Sequence, residues 1–215
     1  MANPTSDSSV SESPPESSVP DPPESPVPGT PESPEGYGKP IEFAYPGLGL
    51  TVGSLVLFVL AAAGFGRLME VLRSGASVEF TIGLAGIGVV ALLSVATIVV
   101  HELVHGLAYR LLGYRVQYGL ALNMGAAYAA AFGQFQSRRD NLVVALAPLV
   151  VFTVVLTPLL AGPLPVALAA FLVFVVNTSG AIGDLYLAWR LLRMPEGALL
   201  YDVDARHSYL FYPEE

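Results

Sequence analysis

FTIGLAGIGVVALLSVATIVVHELVHGLAYRLL, residues 80–112, is the stretch that decides how this chain folds. Its 33 residues carry no acidic or basic side chain other than histidine until Glu102. At 1.5 Å per residue a helix over it is about 50 Å long, well beyond the ~30 Å hydrocarbon core of a bilayer. Such a helix either tilts or carries one end into the interface. Near its C-terminal end stands His101-Glu102-Leu103-Val104-His105. Four-residue spacing stacks the two imidazoles on one helix face, where a single metal ion can take both. Glu102, one position on, can act as base toward a water. Two buried histidines hydrogen-bonded to other helices are the plainer alternative. That reading leaves Glu102 unexplained, because ionisable groups at membrane depth are costly and are kept mainly for function.

Three further apolar stretches surround this one: about Leu48 to Phe65, Leu142 to Leu160, and Pro165 to Leu192. Each is long enough, or nearly so, to cross the hydrocarbon core. The chain of 215 residues is 53% hydrophobic and 13% charged, with a mean hydropathy of +0.58. These values exclude an ordinary soluble domain and point to an all-α membrane protein with about four transmembrane helices. Without cysteine there are no disulfides, and any zinc must be held by histidine and carboxylate.

Residues 1–40 differ in kind. Eleven prolines alternate with Ser and Glu, a composition that cannot bury enough apolar area to offset chain entropy. We expect a disordered tail over 1–40, a four-span domain over 41–195 and a short cytoplasmic segment over 196–215. The net charge of −8 sits largely in the tail, and an acidic chain excludes a nucleic-acid partner. The basic residues set the orientation. With the N-terminus inside, Lys39, Arg110, Arg115, Arg138, Arg139, Arg190, Arg193 and Arg206 are cytoplasmic and only Arg67 and Arg73 face out. The positive-inside rule therefore puts both termini in the cytoplasm and the motif in the cytoplasmic half of the second span.

Between the second and third spans, residues 119–135 are too rich in Gly and Ala to make a good span. A re-entrant loop or short hairpin is expected there, and it can offer an edge to an extended peptide. An interfacial loop with no substrate role is the alternative. Leu199–Tyr212 alternates apolar and polar residues, as a small hairpin would.

A catalytic zinc commonly has three protein ligands and a water. His101 and His105 supply two. Asp184, alone in the fourth apolar stretch, is the strongest candidate for the third; its alternative is an ion pair with Arg190. Gly180 and Gly183 are expected to let this helix come close to the motif helix. Asn177 lies seven residues earlier on the same face and can donate to a substrate carbonyl or an oxyanion, or simply bond between helices. His207, among Asp and Arg near the C-terminus, reads as a surface residue. Asn123 and Asn141 are assigned no role.

His101-Glu102-Leu103-Val104-His105-Gly106, Ala147-Pro148, and Asn177…Ser179-Gly180…Gly183-Asp184 together resemble the DUF3267 family of zincin membrane peptidases. They are also similar to site-2 protease-type metallopeptidases, in which a later helix brings an aspartate to the motif helix. The resemblance covers roughly residues 95–195. It implies zinc on His101, His105 and Asp184, catalysis by Glu102, and hydrolysis of a membrane-associated polypeptide. The chain departs from site-2 proteases in having Gly183-Asp184-Leu185 rather than an Asn-Pro-x-Asp-Gly form, and it shows no PDZ-like segment. A non-catalytic membrane scaffold or pseudoprotease with the same fold is the competing expectation. Nothing in the sequence sets the oligomeric state.

Overall fold

The computed structural model describes residues 30–75, 83–121 and 126–214. Of the disordered tail expected over residues 1–40, residues 1–29 lie outside the described residues, as does Asn123.

The apolar stretches form helices, since a helix satisfies its own backbone where no water can. They are α1 (Gly47–Leu72), α2 (Leu84–Leu111), α3 (Arg138–Leu156), α4 (Leu164–Gly180) and α5 (Ile182–Leu192). α1, α2 and α3 are each long and apolar enough to cross a membrane, α3 when extended by a 3-10 turn over Pro158–Ala161. α4 and α5 make a fourth candidate span, broken at Ala181 by a 47° bend. The sequence interruption at Asn177, Ser179 and Gly180 falls at the end of α4, just before this bend. α3 starts on a proper cap: Ser137 Oγ accepts the Asp140 N–H at 3.0 Å, and Asp140 adds negative charge to the first turn.

α4 is the central helix and packs against α1, α2 and α3. Met69, Phe152, Leu156, Leu160 and Phe174 form the core there, and the Phe65 and Phe174 rings stack at 4.0 Å. Large apolar side chains on α1 and α2 point outward instead; Leu55 is 65% exposed and Leu92 70%. Exposure of that kind over whole helix faces suits lipid rather than water.

Six short strands accompany the helices among the described residues, so the fold is mostly helical and not all-α. β1 (Ile41–Phe43), β4 (Phe135–Ser137), β5 (Leu199–Asp202) and β6 (Ser208–Phe211) form an antiparallel sheet in the order β1-β6-β5-β4. Register pairs include Glu42 with Tyr209, Leu200 with Leu210 and Gln136 with Leu200. Each strand adjoins the start of α1, the start of α3 or the end of α5, so the sheet lies at one end of the helices. Leu191 and Met194 meet Phe43, Leu200 and Leu210 in a second core beneath it. The expected C-terminal hairpin is β5–β6. Residues 30–40, read from sequence as tail, run against this sheet: Tyr37 bridges to Pro213 and its hydroxyl donates to the Gly197 carbonyl at 3.0 Å. An aromatic anchor and backbone pairing supply what the Pro-rich composition lacks.

The second sheet is a hairpin, one of the two forms expected at residues 119–135, and it begins two residues earlier. β2 (Gln117–Ala121) pairs with β3 (Ala126–Ala130) and lies against α2. Gly106 makes this possible, because a Cβ there would collide with the Tyr118 ring. By contrast, a Cβ at Gly180 or Gly183 would meet nothing within 4 Å, so these glycines are not the close-approach points expected from sequence. The tight contact near the bend is at Gly53 of α1, where a Cβ would sit 2.9 Å from Ile182 Cδ1.

Candidate metal centre

His101 and His105 project from one face of α2 and are buried, at 8% and 7% exposure. Their Nε2 atoms lie 3.1 Å apart. Asp184, from the first turn of α5, reaches both: Oδ2 is 3.1 Å from His101 Nε2 and Oδ1 is 3.3 Å from His105 Nε2. The bend at Ala181 turns α5 so that residue 184 meets α2. Arg190, the alternative partner of Asp184, instead donates to the Tyr186 hydroxyl and stacks over Phe43.

The far sides of both rings are held. His105 Nδ1 is 2.9 Å from the Val144 carbonyl oxygen, which can only accept. Nδ1 therefore carries the hydrogen and Nε2 presents its lone pair. His101 Nδ1 donates in the same way to Asn177 Oδ1 at 2.9 Å. With both rings neutral, two imidazole lone pairs and a carboxylate converge, and that arrangement repels itself unless a cation or a proton sits at its centre. Metal-bound histidines commonly donate their other ring N–H to a carbonyl or carboxylate, which is what Val144 and Asn177 provide. Tetrahedral zinc with bonds of about 2.0–2.1 Å has ligand–ligand separations of about 3.3–3.4 Å. The three observed separations lie close to that, so the donor set fits the ion.

Glu102 stands beside this cluster. His101, Glu102 and His105 offer ligand atoms that all lie within 4.8 Å of one another, a group able to hold a metal ion. Glu102 is not spent on a cation. Its Oε2 accepts the Ala129 N–H of β3 at 2.8 Å, which ties the hairpin to the motif helix.

A cavity of about 240 Å³ opens from the centre toward the sheet. Glu102, His105 and Asp184 form one wall, Ala127 and Ala129 another, and Asp202 and Ser208 close the sheet end. Asp202 accepts from Ser208 Oγ at 2.6 Å and from Gln136 Nε2 at 3.0 Å, and burial still pushes its carboxyl above the usual range. A second cavity of about 250 Å³, lined by Thr97, Ile98, Asn177 and Gly180, reaches His101 and Glu102 from between α2 and α4.

Of the residues singled out in sequence, His101, Glu102, His105, Asp184 and Asn177 come together. The Asn177 amide oxygen is turned to the back of the His101 ring, away from the converging Nε2 atoms. Of the two roles read from sequence for Asn177, the structure shows the bond between helices, which here orients His101. His207 is on the surface, paired with Asp204 at 3.0 Å, and that bond holds Asp204 below the usual carboxylate range. Asn141, buried on α3, accepts from the Tyr109 hydroxyl at 3.4 Å. The Val144 carbonyl, the Ala129 N–H and Asp202 were not legible as site groups. Backbone groups leave no residue type to read, and Asp202 lies far along the chain in a short strand.

The fold and site are those of a helical, membrane-type protein with a candidate metal centre. Residues 94–199 match the sequence model of DUF3267, described as "Putative zincin peptidase". Neither the curated proteins nor the solved structures contain a match.

Proposed function

We propose that the chain is an integral-membrane zinc metallopeptidase that hydrolyses peptide bonds of a membrane-associated polypeptide in or near the bilayer. The observation that carries this is the convergence of His101 Nε2, His105 Nε2 and the Asp184 carboxylate within 3.1–3.3 Å, beside Glu102. These three residues would hold the ion. When bound, zinc polarises a carbonyl and makes a water acidic near neutral pH. Glu102 takes the proton of the attacking water and returns it to the leaving amine nitrogen. Its bond to the Ala129 N–H keeps one oxygen fixed and leaves the other for the proton.

β3 supplies a guide for the substrate. The Ala129 N–H points at Glu102 and so away from β2. Ala127, two residues earlier, presents its peptide groups on that same edge. An extended substrate laid along the edge passes Glu102 and the metal ligands, in the manner of strand addition. The cavity toward the sheet admits water. The distribution of basic residues supports placing the sheet, and with it both termini, on the cytoplasmic side. The second helix then carries His101 roughly 15 Å inside its sheet end, at 1.5 Å per residue.

Glu102→Gln tests the reading. Zinc content and cleavage of a mixed peptide library, followed by mass spectrometry, are compared in wild type and variant. We expect equal zinc and a loss of cleavage of about 10²–10⁴-fold, the usual contribution of a general base. Equal cleavage by both proteins removes Glu102 from the reaction. Zinc without cleavage in the wild type favours the non-catalytic scaffold.

A further inference from the structure

The carbonyl that holds His105 is available for a reason written four residues further along α3. In a regular helix the carbonyl of residue 144 accepts the N–H of residue 148. Residue 148 is proline, which has no N–H and whose ring crowds the carbonyl one turn back. α3 continues through Pro148, so the Val144 carbonyl loses its helical partner without the helix ending. It accepts the His105 Nδ1–H at 2.9 Å instead. Val144 is 4% exposed, where an unpaired carbonyl would be costly. The bond therefore satisfies two buried groups at once. It also fixes the tautomer that turns the His105 lone pair toward Asp184 and His101.

We infer that Pro148 is a positioning residue of the metal centre: by denying the Val144 carbonyl a helical donor, it reserves that oxygen for His105 and sets His105 for metal binding. This inference rests on the metal-centre reading, yet part of it can be tested without any metal. In the full chain, purified in detergent and stripped of metal, ¹⁵N NMR of the histidine rings reports the His105 tautomer directly. The wild type should show hydrogen on Nδ1. A wild type with hydrogen mainly on Nε2 overturns the inference, whether or not any variant folds.

Pro148→Ala restores the N–H and the competition for the carbonyl. It should raise the Nε2–H share of His105 and weaken binding of zinc, measured against a chromophoric chelator, by about 10–100-fold, as loss of a partner behind a ligand does. Leu156→Ala, on the same helix but in the core away from the centre, controls for packing loss and should bind zinc within about twofold of wild type. A Pro148→Ala protein with unchanged zinc affinity and tautomer overturns the inference. So does an equal loss of affinity in both variants, which would assign the effect to packing. If the wild type binds no zinc, the peptidase reading fails, while the tautomer comparison between wild type and Pro148→Ala still decides the role of the proline.

Discussion

Adding one methyl group at Gly106 should detach the β2–β3 hairpin from α2. A Cβ at this position would lie 2.6 Å from Tyr118 Cε1 and closer still to the phenol oxygen, whereas ordinary contacts begin at 3.4 Å. The ring must retreat by about 0.8 Å or more and so loses its seat against α2. Overpacking of this kind costs about 1–3 kcal/mol. At 1.36 kcal/mol per decade, that raises the hairpin's opening equilibrium roughly 5- to 150-fold. A two-stranded hairpin has little stability of its own to absorb the loss. Its contacts with α2 include the Ala129 N–H on Glu102, so opening also frees the carboxylate. Hydrogen exchange of wild type and Gly106→Ala in lipid nanodiscs, read by mass spectrometry over residues 117–130, measures the effect. Protection should fall within that range in the hairpin while the core of α4 is unchanged. Cleavage should fall with it, and zinc content should not. Unaltered exchange in the hairpin would refute the claim that Gly106 seats it, and equal loosening of α4 would show a general loss of fold instead.

Asp184→Ala removes a direct contact to both imidazoles, so zinc affinity should drop by more than the roughly 10–100-fold typical of an outer partner; chelator competition checks this, and unchanged affinity denies Asp184 a ligand role. Asp202 gives a pH prediction. Burial raises its folded pKa above the unfolded value, so its contribution to stability is complete below the unfolded pKa and is lost as pH rises through the folded one. Asp202→Asn should therefore flatten the decline in stability of the four-stranded sheet over that window, followed by exchange of residues 199–211 at successive pH values; a parallel decline in wild type and variant would show that another group controls it.

The parts of this molecule that the sequence exposes are those carried by side-chain chemistry and local periodicity. Two histidines four apart share a helix face wherever that helix stands, and a solitary aspartate in an apolar run needs a cation or a donor. The helices were legible because hydropathy over twenty residues is a strong signal. The β5–β6 hairpin was legible from its alternation, but the addition of β1 and β4 to it was not, because each is three residues long and pairs far along the chain, as Glu42 does with Tyr209 and Gln136 with Leu200. Gly180 and Gly183 misled for a related reason: small residues permit a close approach without saying where it occurs, and the crowding falls at Gly53. The backbone groups at the site had only one visible trace, the proline at 148.

The order of strands in the four-stranded sheet also governs when the molecule is finished. β1 and β4 emerge from the ribosome well before β5 and β6, yet they touch only through them. The described helices, which end at Leu192, are therefore synthesised while the wall carrying Asp202 and Ser208 is still missing. A nascent chain can gather His101, His105 and Asp184 before that wall exists, but the chamber around them closes only when residues 199–211 have been translated. Completion of the chamber is thus deferred until after the helices that carry His101, His105 and Asp184 have been made.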